Sequence, residues 1–135
     1  MVGILIVAHG TLGDSLLLCA AHVLGGPPVL IRQIGVTTAD DPAAVVAHGR
    51  ELVKLLDEGD GVLVLTDVYG ATPGNIAARL LEPGKVEGIA GVSLPMLVRA
   101  LTYRNEPLRT VVAKAMSGGV EGVFKMPPAI EHAAT

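Results

Sequence analysis

The chain is short of aromatic and clustered basic residues, and these shortages exclude one large class of partners. Its 135 residues include no tryptophan, two tyrosines and one phenylalanine, and its 10 lysines and arginines are outnumbered by 13 aspartates and glutamates. A nucleic-acid surface needs basic side chains along the phosphates and aromatic rings against the bases. We therefore expect no nucleic-acid partner.

Cysteine and long apolar runs are also scarce. The single cysteine, Cys19, cannot form an internal disulfide, which is typical of a reducing compartment. The longest charge-free stretch, residues 15–31, is interrupted by two glycines and two prolines, and no basic leader precedes the apolar run at the amino terminus. We expect a cytoplasmic protein without direct membrane insertion. Because half of the residues are apolar, the chain can form one well-packed core.

Short apolar runs alternate with segments of helical spacing, which is the pattern of βαβ units. Glycine, or a capping residue before proline, separates most of these segments. We predict strands at residues 2–8, 29–36, 61–66 and 86–92, and helices at 14–24, 41–57, 72–81, 94–103 and 107–116. A last short strand is expected at 121–125. The predicted domain is 1–126, followed by a frayed tail at 127–135.

The predicted fold class is α/β, a doubly wound, mostly parallel open sheet with strand order 2-1-3-4, flanked by helices. Right-handed crossovers cover both faces of such a sheet when strands 2 and 3 lie on opposite sides of strand 1. His9 follows strand 1 and Asp67 follows strand 3. Ligands bind beyond the carboxyl ends of the strands, where the winding reverses. We therefore expect His9 and Asp67 to meet there.

A histidine with one ring nitrogen held by a carboxylate has its other nitrogen free as a directed nucleophile or base. Such a pair suits a phosphohistidine as readily as a hydrolytic site. The neighbouring residues offer an open approach and donors for an anion, namely Gly10, Thr72, Gly74 and Asn75. Thr72 is equally expected as the N-cap of its helix.

Other chemistries lack their signatures in this sequence. It has no nucleophile-elbow serine or cysteine, no His/Glu pair with metal-ligand spacing and no Gly-Lys-Ser/Thr nucleotide loop. We expect neither metal nor cofactor, and a donor that is itself a phosphoprotein would explain the missing nucleotide machinery. A flavin-binding protein of similar fold is the weaker alternative, because there are few aromatic rings to sandwich a flavin.

Four segments of the chain resemble the IIA component of the mannose/fructose/sorbose class of bacterial sugar phosphotransferase systems. They are "GILIVAHG" at 3–10, "LTDVYGATPGN" at 65–75, "IAGVSLPMLVRAL" at 89–101 and "GGVEGVFK" at 118–125. The resemblance implies a phosphotransferase in which His9 accepts a phosphoryl group from phospho-HPr and passes it to a IIB component. It also implies that Asp67 orients His9, that Thr72 lies near the phosphate, and that a homodimer exchanges the C-terminal strand.

Two departures from the family pattern concern the protein that would receive the phosphoryl group from His9. Members with established sugar transport tend to have a tryptophan and a "GGSPFN" turn where this chain has Tyr69 and "GATPGN". We also expect no IIB domain to follow in this chain. The alternative function is therefore a regulatory phosphorelay module, in which phosphorylation of His9 controls a protein target without sugar transport.

Overall fold

Strands and helices alternate along residues 1–130, which are the part of the chain that a computed structural model describes. The strands are β1 (Gly3–His9), β2 (Ile31–Val36), β3 (Val62–Thr66) and β4 (Val86–Ala90). The helices are α1 (Leu12–Leu24), α2 (Pro42–Leu56), α3 (Thr72–Ala78), α4 (Leu94–Tyr103) and α5 (Leu108–Glu121). Within this part of the chain, no helix combines the length and the apolar character needed to cross a membrane.

The four strands form one parallel sheet in the order β2-β1-β3-β4, which confirms the predicted fold class. β1 lies between β2 and β3, with Val7 opposite Thr66 and His9 opposite Val36. The carboxyl ends of β1, β2 and β3 therefore lie at one edge of the sheet. That edge is the predicted position of the site.

Helices cover both faces of the sheet, so the core has two halves. Successive side chains of a strand point to opposite faces of the sheet, so β1 contributes residues to both halves of the core. Ile4 and Ile6 pack in the half that includes residues of α4 and α5, whereas Leu5 and Val7 pack with residues of α2 and α3. His9 continues the second series and belongs to the face on which α2 and α3 lie.

A buried arginine joins the opposite edge of the sheet to the end of α4. Arg104 is 5% exposed, and its guanidinium donates hydrogen bonds to the backbone carbonyls of Val2, Val29 and Leu30. The backbone also contributes, since the Val2 N–H donates to the Arg104 carbonyl at 2.8 Å. One side chain, that of Arg104, thus holds the backbone segments that lead into β1 and β2.

Every strand differs from its predicted bounds by one or two residues, so that β1 ends at His9 instead of 8. The two largest differences lie where the backbone turns. β2 begins at Ile31 rather than at residue 29, because Leu30 has a positive φ of 54°. That conformation is uncommon for a residue with a side chain, and the Arg104 contacts hold it. β4 ends at Ala90 rather than at 92, because Gly91 turns the chain with a φ of 88°.

Helix bounds also differ from the predicted ones, most of all at α5. α4 agrees with its predicted range, whereas α1 begins at Leu12 instead of 14 and α3 ends at Ala78 instead of 81. α5 continues to Glu121 instead of ending at 116. Its glycines are packing residues, since a Cβ at Gly118 would lie 2.9 Å from the Arg99 Cβ and one at Gly119 would lie 2.8 Å from the Met96 Cε.

The predicted strand at 121–125 is not formed within the single chain. Its first residue closes α5, and residues 123–130 have no regular secondary structure in this chain. Exchange of this segment needs a second copy and stays a prediction. Most of the predicted tail, residues 131–135, lies outside the described residues.

We expect replacement of Arg104 by methionine to destabilise the fold by about 2 to 4 kcal/mol, because buried carbonyl groups lose their donors. The free energy of unfolding in urea measures the effect. Arg109→Met is the matched control, since Arg109 is exposed and its replacement should change stability by less than about 0.5 kcal/mol. Equal stability of the two variants would contradict the structural role of Arg104.

Candidate functional site

His9 is the last residue of β1 and stands at the boundary between buried strand and solvent. Apart from the glycine at position 3, the residues from Val2 to Ala8 are fully buried apolar residues. The side chain of His9 itself is 55% exposed. Gly10 follows with a φ of 51° and turns the chain away from the sheet. The ring is therefore carried by a rigid strand and remains accessible to another molecule.

Asp67 contacts His9 twice, as the strand order predicted. The Oδ2 atom of Asp67 lies 2.7 Å from the Nδ1 atom of the His9 ring and accepts the backbone N–H of His9 at 3.1 Å. The Oδ1 atom accepts the N–H of Val68 at 3.0 Å. The Asp67 side chain is only 10% exposed, so this carboxylate lies behind the ring and is held on both oxygens.

The ionisation of Asp67 decides which ring nitrogen of His9 is free. Burial raises the pKa of the Asp67 carboxyl, but hydrogen bonds from the His9 ring and from backbone N–H groups outweigh burial and hold that pKa below its usual value. An ionised carboxylate only accepts hydrogen bonds. Nδ1 of His9 therefore carries the hydrogen of the 2.7 Å contact, and Nε2 of the neutral ring keeps its lone pair.

A cleft of about 340 Å³ opens beside His9. It is lined by the end of β1, by the loop after β2 and by the start of α3, through the residues His9, Gly10, Val36, Thr37, Thr38, Thr72 and Pro73. The cleft lies on the α2 and α3 face, on which His9 continues the alternation of β1. Its size and position suit a small anionic group held next to the imidazole.

Of the three predicted anion-binding residues in α3, one lines the cleft and two do not. Thr72 lines it, but Thr72 is the first residue of α3 rather than its N-cap, which is Ala71. Gly74 and Asn75 are not among the lining residues. Gly74 has a packing role, since a Cβ there would lie 2.6 Å from the Val68 carbonyl oxygen. The Asn75 N–H donates to the Ala71 carbonyl at 2.9 Å and is thus engaged within the helix.

Sequence reasoning missed the contribution of the β2–α2 loop. Thr37 and Thr38 line the cleft together with His9, although neither was predicted as a site residue. The signal was present, because the rule that placed Asp67 at the carboxyl end of β3 applies equally to the carboxyl end of β2. Across residues 1–130, no three His, Cys, Asp or Glu side chains converge in a way that suits a metal ion.

Comparison with known proteins finds a family model that matches most of the chain. The family model described as "PTS system fructose IIA component" matches residues 3–116. The mannose-specific EIIAB component of the phosphotransferase system of Escherichia coli K12 is 32% identical over 125 residues, which cover 90% of this chain and 38% of that protein. The chain thus spans well under half of that relative.

A regulatory protein and a solved structure also match. The transcriptional regulatory protein LevR of Bacillus subtilis 168 is 28% identical over 134 residues, which cover 95% of this chain and 14% of that protein. The crystal structure of the phosphotransferase system component EIIA from Streptococcus agalactiae superposes with a TM-score of 0.80 at 27% identity. The match covers 93% of this chain and 97% of that one.

The Asp67 contacts make a pH-dependent contribution to stability. A carboxyl whose pKa is lower in the folded protein than in the unfolded chain stabilises the fold fully above the unfolded pKa, about 3.9. The stabilisation is lost as the pH falls through the lowered pKa. We expect the difference in unfolding free energy between the wild type and Asp67→Asn to shrink as the pH falls from about 5 to about 3. Urea titrations across this range measure it, and a difference that stays constant or grows over this range would contradict the assigned contacts.

Proposed function

The chain belongs to the family of the PTS system fructose IIA component, and on this premise we propose that His9 is a phosphoryl carrier. In this proposal His9 accepts a phosphoryl group from phospho-HPr and passes it to a IIB component during phosphoenolpyruvate-dependent sugar uptake, in the cytoplasm. The observation that carries the proposal is the 2.7 Å contact between His9 Nδ1 and Asp67 Oδ2. It leaves Nε2 as the nucleophile on an exposed ring.

In the proposed transfer, His9 is the only residue of this chain that forms or breaks a covalent bond. Each N–P bond that forms is matched by one that breaks. The Nε2 lone pair attacks the phosphorus of a phosphohistidine on the donor. A new N–P bond forms, the N–P bond of the donor breaks, and its electron pair returns to the donor ring. Throughout, the Nδ1–H of His9 stays hydrogen-bonded to the Asp67 carboxylate, which stabilises the positive charge that the ring gains. A second transfer of the same kind delivers the phosphoryl group to the acceptor.

The composition of the cleft favours a protein as donor over a nucleotide. Phosphoryl transfer depends on positioning and on neutralising the charge of the phosphoryl oxygens. Among the seven described residues that line the cleft, none is a lysine or an arginine. A nucleotide would bring further phosphate charge that this lining has no basic side chain to neutralise, whereas a protein donor can supply basic side chains from its own surface.

A regulatory phosphorelay module is the second candidate function. The match to LevR favours it, because 95% of this chain aligns with part of a transcriptional regulatory protein. Both functions use the same phosphorylation of His9 and differ in the step after it. Transfer of the phosphoryl group to a IIB component supports transport, whereas a phosphorylated chain that binds or releases a protein target without transfer supports regulation.

We propose that the protein is a homodimer in which residues 121–125 pair with a second copy. The apolar residues of and around this segment are exposed in the single chain, with Val123 at 80%, Phe124 at 69% and Met126 at 82%. We expect a dimer in sedimentation at micromolar concentration and a monomer for Phe124→Asp, because a charge would lie in the buried contact. Ile130→Asp, outside the predicted strand, should stay dimeric. A monomeric wild type would contradict the proposal.

We expect His9→Ala to abolish phosphorylation and to leave the fold intact, because His9 is half exposed at a strand end. The measurement is incorporation of labelled phosphate from phosphoenolpyruvate in the presence of the first enzyme of the system and HPr. His22→Ala, which changes an exposed histidine on α1, is the matched control and should be phosphorylated normally. Acid-labile phosphate retained by a folded His9→Ala protein would refute the assignment.

A further inference from the structure

The β2–α2 loop forms a wall of the His9 cleft that the proposed function leaves unused. We propose that the Thr38 hydroxyl hydrogen-bonds the phosphoryl group on His9 Nε2, and that Asp40 is the positioning residue that holds the loop. Both roles rest on the proposed phosphorylation of His9. Two observations support these roles. His9, Thr38 and Thr72 line the same cleft, and Thr37, next to Thr38, is hydrogen-bonded to Asp40.

Strand order places Thr38 and Thr72 on opposite sides of His9. β1 lies between β2 and β3 in the sheet. Thr38 follows β2 and precedes α2, whereas Thr72 follows β3 and opens α3. Because both helices lie on the face to which His9 belongs, the two threonines reach the cleft from its two flanks. A phosphoryl group on Nε2 has three terminal oxygens, and one hydroxyl on each side can bind it without any change in the fold.

The loop after β2 is held in place by one carboxylate. Oδ2 of Asp40 accepts the Thr37 N–H at 2.7 Å and the Thr37 hydroxyl at 3.1 Å. The N–H of Asp40 donates to the Thr37 carbonyl at 3.2 Å. The Thr37 hydroxyl has thereby committed its hydrogen to Asp40, so Thr38 is the threonine of this loop whose hydroxyl can donate to a phosphoryl oxygen.

Asp40 acts through the loop and not on the phosphoryl group. A carboxylate has no hydrogen to donate, and its charge would repel phosphoryl oxygens at close range. It instead accepts its hydrogen bonds from Thr37. The cleft lining is otherwise poor in donors, since the lining residues of the described chain include no lysine or arginine. The loss of either of the two neutral hydroxyls, on Thr38 or on Thr72, should therefore be measurable.

The Thr38→Val variant tests the first role, because valine keeps the branched shape and removes the hydroxyl. We expect single-turnover transfer from phosphorylated HPr to His9 to slow about tenfold, the effect of losing one hydrogen bond to a charged group. Thr38→Ser should restore most of the rate. Thr102→Val is the matched control, because that hydroxyl donates to the Val98 carbonyl within α4, and it should transfer at the wild-type rate.

A double-variant cycle tests the role of Asp40. We expect Asp40→Ala to slow transfer by about the same factor as Thr38→Val, and the double variant to be no slower than either single variant, because Asp40 acts only by positioning Thr38. A general loss of stability would instead multiply the two effects. Asp41→Ala, which removes a neighbouring charge at the start of α2, should leave the rate unchanged.

The outcomes separate this proposal from the proposed function. If the wild type takes no phosphoryl group, both fall. If the wild type is phosphorylated and Thr38→Val transfers at the wild-type rate, the role of Thr38 is overturned while His9 remains the carrier. Multiplicative effects in the double variant would overturn the positioning role of Asp40 alone. Circular dichroism of each variant ensures that folded proteins are compared.

Discussion

The contact between the His9 ring and the Asp67 carboxylate is the interaction on which the proposed chemistry of this protein depends. It exists because β1 and β3 are neighbouring parallel strands, with Val7 opposite Thr66. His9 ends β1 and Asp67 directly follows β3, and residues at these positions of neighbouring parallel strands meet at one edge of the sheet. The carboxylate is mostly buried and the ring is half exposed, so one partner is fixed by the protein and the other is presented to solvent.

The rigidity of the site comes from the same arrangement. β1 is covered on both faces, and its residues before His9 are fully buried. Moving His9 along the strand by one residue would turn it to the opposite face and bring apolar side chains to the wrong half of the core. At the far edge of the sheet, Arg104 binds the carbonyls before β1 and β2. Packing and hydrogen bonds to backbone carbonyls thus stabilise the edge near Arg104, and the exposed candidate site lies at the opposite edge.

Sequence reasoning reached the sheet order and the meeting of His9 with Asp67, because apolar runs and connection handedness determine them. It failed where a tertiary contact overrides a local signal. Gly118 and Gly119 resemble a helix terminator, yet they allow α5 to approach α4 closely and the helix continues to Glu121. Leu30 resembles a strand residue, yet contacts from Arg104, more than seventy residues away, hold it at a positive φ. Such contacts have no signature in a local window.

Identification of the phosphorylated ring nitrogen tests the central claim most directly. The protein can be labelled with ¹⁵N in its histidine rings, phosphorylated by phosphoenolpyruvate through the first enzyme and HPr, and observed by nuclear magnetic resonance. Because the Asp67 contact occupies Nδ1 of His9, the phosphorus should couple to Nε2 of that ring. Coupling to Nδ1 would show that the Asp67 contact is broken when the group is transferred, and would contradict the role of Asp67 in directing Nε2.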